Sequence, residues 1–232
     1  MSEGTYAAYP GNLNNRRILQ MAFSLDQVVP WGRSFAEYQR MFALTDDQLR
    51  LRILGCADGP ASFNAEAIAL GSDVVSVDPI YAFSRTEIQS RIQATYPEMM
   101  KQTQQNYAEF VWTEISSVEE LGRRRMASME QFLDDYDAGR KCGRYLAVEL
   151  PSLPFEDQAF DVALCSHFLF LYSDQFSLEF HEYSVVELCR VAKEVRIFPL
   201  LGLGSRPSPH VSPVMEKLQR LGLTVQIKTV DY

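Results

Sequence analysis

The spacing of apolar and polar positions changes along the chain, and each change predicts an element. A short apolar run, Arg52-Ile53-Leu54, predicts a buried strand, and Gly55-Cys56-Ala57-Asp58-Gly59-Pro60 breaks it. Glycine turns sharply and lets a ligand approach the backbone, because no Cβ intervenes. Pro60 suits the first turn of a helix, and Asp58 or Ser62 can accept from the free N–H groups there. Good helix formers follow over 61–70, and Gly71 ends them as a left-handed cap. The β-branched run Val74-Val75-Ser76-Val77 predicts the next strand, closing on Asp78.

Upstream, residues 1–15 are small and polar, and a short helix is expected over 16–23. Phe35, Tyr38, Met41 and Phe42 recur at helical spacing over 34–44, and Thr45 caps a further turn with acids behind it. Tyr38 reads as a core aromatic in preference to a lid over a ligand.

Residues 84–143 separate the second strand from the third, far more than most connections need. Three helices are predicted there. One runs over 84–95, capped by Ser84 and interrupted by Pro97; a second covers 98–112. The third runs from Ser116 or Ser117 to 136, with Leu121, Met126, Met129, Phe132 and Leu133 on one face. Gly139 and Gly143 end the insertion, which either covers a ligand or thickens one side of the sheet. Further strands are predicted over 145–148, 160–165, 194–200 and 223–230, with helices over 178–192 and 212–222. Strands alternating with helices predict an α/β fold with a doubly wound, mostly parallel sheet. Residues 1–50 form an N-terminal helical segment and 51–232 a single domain, interrupted by the helical cap 84–143.

The 232 residues are 47% apolar and 22% charged, enough for one sizeable globular domain with a cap. A net charge of -8 argues against a nucleic-acid backbone as partner. The basic run Arg123-Arg124-Arg125, flanked by Glu119, Glu120 and Glu130, reads as a solvated helix face. No stretch is long and apolar enough to span a membrane, and the N-terminus lacks the basic-then-apolar profile of a signal peptide. The four cysteines, Cys56, Cys142, Cys165 and Cys189, have no zinc or CxxC spacing. Reduced thiols, a cytoplasmic location and no metal site are therefore expected.

A strand–turn–helix–strand unit places backbone N–H groups and a helix N-terminus beside the strand tips. Asp78, about 20 residues past the turn, is placed to accept from two ribose hydroxyls. The stretch thus reads as a nucleoside site, for which two ligands compete. A dinucleotide fingerprint, G-x-G-x-x-G from Gly55, ends on Pro60, a mismatch. A methyl-donor turn needs the looser hydrophobic-x-G-x-G-x-G, met here by Gly55, Ala57 and Gly59 with one substitution, and fits better. Among candidate bases His167 leads, ahead of Tyr172, His181 and His210; a histidine at a strand end often only bonds backbone. Cys56 and Cys165 are expected as buried neighbours.

Four segments, in order, resemble class I S-adenosylmethionine-dependent methyltransferases. They are ILGCADGPASF, VVSVDP, VELPSLPFEDQAFDVALCSHFL and SVVELCRVAKEVRIFPL, spanning about 51–80 and 145–200. The third segment is the most specific. The resemblance implies S-adenosylmethionine as cofactor and a small-molecule methyl acceptor. Gly55, Ala57 and Gly59 would line the donor, with Asp58 nearby, and Asp78 would hold its ribose. Pro79 and Ile80 would lie along adenine, Glu149 would accept from its amino group, and the Leu150 N–H would meet a ring nitrogen. Ser166 and His167 would face the sulfonium and the acceptor, with His167 as possible base. The sequence departs from the pattern at Ile53, where members usually carry an acid, and at Ala57, where they carry glycine. A donor-binding protein without transferase activity is the alternative, or another nucleotide-dependent enzyme. The family's antiparallel seventh strand is also missing: the sequence stops at Tyr232, within or just after the sixth strand, so either the chain is shortened or the sheet edge is unusual.

Overall fold

The structure, a computed structural model, describes residues 29–232. The helix expected over 16–23 lies outside them. Five strands form one all-parallel sheet in the order β3-β2-β1-β4-β5. They are β1 (Arg52–Cys56), β2 (Asp73–Val77), β3 (Tyr145–Leu146), β4 (Phe160–Ser166) and β5 (Ala192–Phe198). β1 is central, in register with β2 from Arg52↔Asp73 to Cys56↔Val77 and with β4 from Ile53↔Val162 to Cys56↔Cys165. This is the doubly wound, Rossmann-like α/β arrangement expected from the alternation of elements.

Alternate strand residues feed opposite faces of the sheet, as the pleat dictates. Ile53, Val74, Val162 and Leu164 pack against α1 (Phe35–Met41) and α2 (Phe63–Ala69). Leu54, Cys56, Ala163 and Cys165 point the other way, into a core with Val185, Leu188 and Val191 of α5 (Leu178–Val191) and Val214 and Leu218 of α6 (Val211–Arg220). Beside β3 a third core joins α3 (Arg85–Gln105) and α4 (Val118–Lys141) through Ile88, Ile92, Met129, Phe132 and Tyr136. α1 opens on a capping box, in which the Ser34 hydroxyl accepts from the Glu37 N–H and Glu37 accepts from the Ser34 N–H.

The insertion holds two long helices where three were expected. Pro97 does not interrupt α3 but sits inside it. Pro97 and Gln93, the residue whose carbonyl loses its helical partner, are both exposed, so water satisfies that carbonyl. Buried Ile92 and Met99 hold the helix in place on either side. Gly139 lies within α4, where a Cβ would come 2.4 Å from the Tyr145 ring; Gly143, at φ +76°, makes the turn that follows.

The strand predicted over 223–230 is absent, although its residues favour β structure. Leu223 and Ile227 are exposed, and the segment instead crosses to the first helix, where Arg40 Nε donates to the Asp231 carbonyl at 2.8 Å. Strand propensity expresses a fit to neighbours more than a backbone preference, and here no strand is alongside. β3 is two residues long, not four: at the sheet edge the chain turns as soon as Val148 N–H donates back to the Leu146 carbonyl. Asp58 and Ser62 do not cap α2 with their side chains, which are engaged elsewhere. Among the described residues no helix is long and apolar enough to cross a membrane.

Candidate active site

A cavity of about 400 Å³ opens at the C-terminal ends of β1, β2, β4 and β5. In open α/β sheets this is where the strand order reverses and ligands bind, and the volume suits a small molecule. Ala57, Asp58, Gly59, Asp78, Ser166 and His167 line it, so six of the residues singled out in the sequence converge. Gly55, Pro79, Glu149 and Leu150 do not line it. The insertion contributes Met99, Thr103, Leu121 and the segment 109–115 to the opposite wall.

The β1 turn is tightly built. Ala57 and Gly59 both hold the left-handed conformation, at φ 56° and 55°. For alanine that conformation costs about 1–2 kcal/mol, and such strain collects at functional sites. The Asp78 carboxylate fastens the turn: Oδ2 accepts from the Gly59 N–H at 2.9 Å and Oδ1 from the Ile80 N–H at 2.8 Å. Each oxygen keeps a further lone pair. Burial pushes the Asp78 carboxyl up to about 6, against the pull of those two N–H groups and with the added charge of Glu149.

Asp58 faces inward. Its Oδ1 accepts from Tyr38 Oη at 2.7 Å and its Oδ2 from Ser76 Oγ at 2.6 Å. Burial pushes this carboxyl up to about 7 despite both hydroxyls. Gly55 is explained by the same carboxylate, because a Cβ there would lie 1.8 Å from Asp58 Oδ2. The glycine makes room for an acid, not for a ligand. Tyr38 is both core and wall: it is buried, stacks on Phe63 at 4.4 Å between ring centroids, and borders the cavity.

At the tip of β4, His167 takes φ 50° and its N–H donates to the Phe198 carbonyl at 2.6 Å. Its Nδ1 lies 3.0 Å from Ser166 Oγ. Burial, with the Arg33 and Arg125 guanidiniums nearby, holds His167 well below its ordinary range, so the ring is neutral. His181 and His210 are away from the cavity and meet backbone carbonyls, of Ser177 and Leu169 and of Ser173. Tyr172 does border the cavity, and burial pushes its phenol up to about 12. Cys56 and Cys165 face each other as buried free thiols. The Cys165 thiol, together with burial, pushes Cys56 up, away from thiolate chemistry.

One reading of the charges is corrected. Arg123 and Arg124 are exposed, but Arg125 is only 3% exposed and lines the cavity. At helical spacing it shares the inward face of α4 with Leu121, Ser128 and Met129. Its Nη1 lies 2.6 Å from Glu37 Oε2, and that pairing, with Arg33 nearby, holds Glu37 down at about 2 despite burial. Arg33, Glu37 and Tyr232 complete a cluster that the sequence did not single out. Only the helical period of Leu121, Met129 and Phe132 placed position 125 on the inner face beforehand.

The chain is 33% identical over 210 residues, 90% of its own length and 92% of the relative's, to the uncharacterized protein MJ0045 of Methanocaldococcus jannaschii. The chain belongs to the family of that protein. No protein-family model matches it. No solved structure matches it either. The identity spans nearly the whole of both chains.

Proposed function

We propose that the protein is an S-adenosylmethionine-dependent methyltransferase acting on a small molecule. One observation carries this reading: the Asp78 carboxylate, at the tip of β2, reaches the cavity while bonded to the left-handed turn at the tip of β1. Its spare lone pairs suit a ribose diol, and the turn leaves space beside Gly59, where an added Cβ would meet nothing nearer than Asp78 Oδ2 at 4.0 Å. The residues present therefore fit an adenosyl group. A cationic sulfonium also suits an end of the cavity that holds two carboxyls.

Held beside Asp78 and the β1 turn, the donor would supply an electrophilic methyl to an acceptor lone pair, with sulfur as the leaving group. The chain's part is mainly to align and to exclude water. The strand tips fix one partner, and residues 109–115 with α4 close over the other. Neutral His167 can take a proton from an acceptor that must lose one, yet two nearby guanidiniums make it a weak base. Positioning is thus the larger contribution. Cofactor binding by the turn does not require Pro79, Glu149 or Leu150 to line the cavity, and their adenine-side roles remain part of this proposal.

Calorimetry tests it. S-adenosylhomocysteine is expected to bind with one site per chain and NADH not at all. Transfer of labelled methyl to members of a metabolite panel should then follow. Binding of NADH in preference to S-adenosylhomocysteine overturns the reading. Product binding without transfer to any acceptor favours a donor-binding protein.

A further inference from the structure

Two arginines, Arg33 and Arg125, border the cavity close to His167 at the tip of β4, in a chain whose net charge is -8. Arg125 comes from the buried face of α4, which is held to α2 by the Ser62–Ser128 hydroxyl contact at 2.9 Å. Arg33 is held against the β1 turn, because its carbonyl accepts from the Ser62 N–H at 3.1 Å. Gly32 permits that approach: a Cβ there would lie 2.0 Å from the Pro60 carbonyl oxygen. The two guanidiniums are close enough that burial and Arg125 together push Arg33 below its ordinary value.

One carboxylate, Glu37, lies near them both. Glu37 already accepts from the Ser34 N–H at 2.9 Å, Ser34 Oγ at 3.1 Å, Arg125 Nη1 at 2.6 Å and Tyr232 Oη at 2.8 Å. Three of these bonds fall on Oε2 and one on Oε1, and none of them comes from Arg33. Among the described residues Arg33 has no ion pair; its Nη1 donates to the Trp31 carbonyl at 3.2 Å. The Nε atoms of Arg33 and Arg125 are both buried without an acceptor. Two guanidiniums beside one carboxylate leave a single excess positive charge on this part of the wall, with two donors buried behind its surface and lacking acceptors. Buried donors of this kind cost stability unless something accepts from them.

We propose that the methyl acceptor is a small monocarboxylate with a flat apolar body. Its carboxylate lies between the Arg33 and Arg125 guanidiniums, and its body lies among Trp31, Trp112 and Phe198. The proposal rests on the methyl-donor reading of the strand tips. One excess positive charge matches a monoanion better than a phosphate dianion, and planar guanidinium forks match carboxylate geometry. The aromatic residues on the wall offer faces to a flat apolar body. An anion seated there would also offset the two cations that depress His167, so its arrival would strengthen the base where the methyl must land.

The chain's two tryptophans, Trp31 and Trp112, both border the cavity, so intrinsic fluorescence reports its occupancy directly. The full chain, loaded with S-adenosylhomocysteine, is titrated with benzoate and cyclohexanecarboxylate, each against its neutral amide, and with phenyl phosphate. At least one carboxylate is expected to bind about tenfold or more tighter than its amide, as charge-assisted bonds imply. Arg33→Gln, which leaves the Glu37–Arg125 pair in place, should erase that preference while S-adenosylhomocysteine still binds. Arg33→Lys should restore part of it. Equal binding of acid and amide, or binding of neither, overturns the proposal and leaves the donor reading standing. Tighter binding of phenyl phosphate overturns the carboxylate assignment. If S-adenosylhomocysteine does not bind the wild-type chain, the donor reading falls, and the acceptor assignment falls with it.

Discussion

Two groups on the cavity wall carry opposite charge, and each manages that charge differently. At the strand tips Asp58 is buried and Asp78 half-buried, and among the described residues neither pairs with a cation; hydroxyls and backbone N–H groups hold them, and desolvation pushes both carboxyls up. Elsewhere on the wall, Arg33 and Arg125 lie near one carboxylate, Glu37, which pairs with Arg125 and is held down. A cation placed at the first group and an anion at the second would each relieve a standing cost.

The largest effect is expected where the arginine group is locked. Glu37→Gln strands Arg125 in the core without its counter-charge, and denaturant unfolding should show a loss of about 3–5 kcal/mol. A loss under about 1 kcal/mol would mean that water reaches this wall freely. In the acidic group, Tyr38→Phe removes one of two hydroxyls on Asp58 and should cost about 1–3 kcal/mol by the same measurement.

The two groups should also respond to pH with opposite sign. The raised carboxyls of Asp58 and Asp78 bind protons more tightly in the folded state than in the unfolded one. Their contribution to stability is therefore lost as pH rises from the ordinary 3.8 through about 6 and 7. Glu37, lowered from 4.5 to about 2, contributes stability above its ordinary value, and this is lost as pH falls through that window. Asp58→Asn should flatten the decline between pH 4 and 7 while leaving the acid-side loss intact; a curve unchanged in shape would remove Asp58 from the account. A smaller effect is expected in binding. If Asp78 grips the ribose as a carboxylate, S-adenosylhomocysteine affinity at one pH unit below 6 should be about tenfold weaker than at neutral pH. Constant affinity across that range would sever the link between this proton and the ligand.

How much of this was legible beforehand follows the range of the interactions. The β1 turn, the acid at the tip of β2 and the alternation of strands and helices depend on local glycine and β-branched patterns, and the sequence shows them plainly. Pro97 misled because a proline on an exposed helix face loses its hydrogen bond to water instead of leaving a hole in the core. The run 223–230 misled because alternating Val, Ile and Thr cannot become a strand without a neighbour to pair with. Arg125 was hidden by its exposed neighbours in sequence, since three consecutive helix positions point in three directions. Gly55 looked like a ligand contact, but its partner, the Asp58 carboxylate, is fixed by Tyr38 and Ser76 from elements distant in the chain. The arginine cluster draws on residues 33, 37, 125 and 232, and no local pattern joins them.

Asp78→Asn provides the most direct test of the account. The substitution keeps the size of the side chain and one oxygen for the turn, so a thermal melt can verify that the fold survives. Calorimetry with S-adenosylhomocysteine should then show affinity reduced by about 100-fold, the expected loss of two charge-assisted bonds to the ribose. Affinity within about threefold of wild type, in a folded variant, would contradict the placement of an adenosyl group at these strand tips.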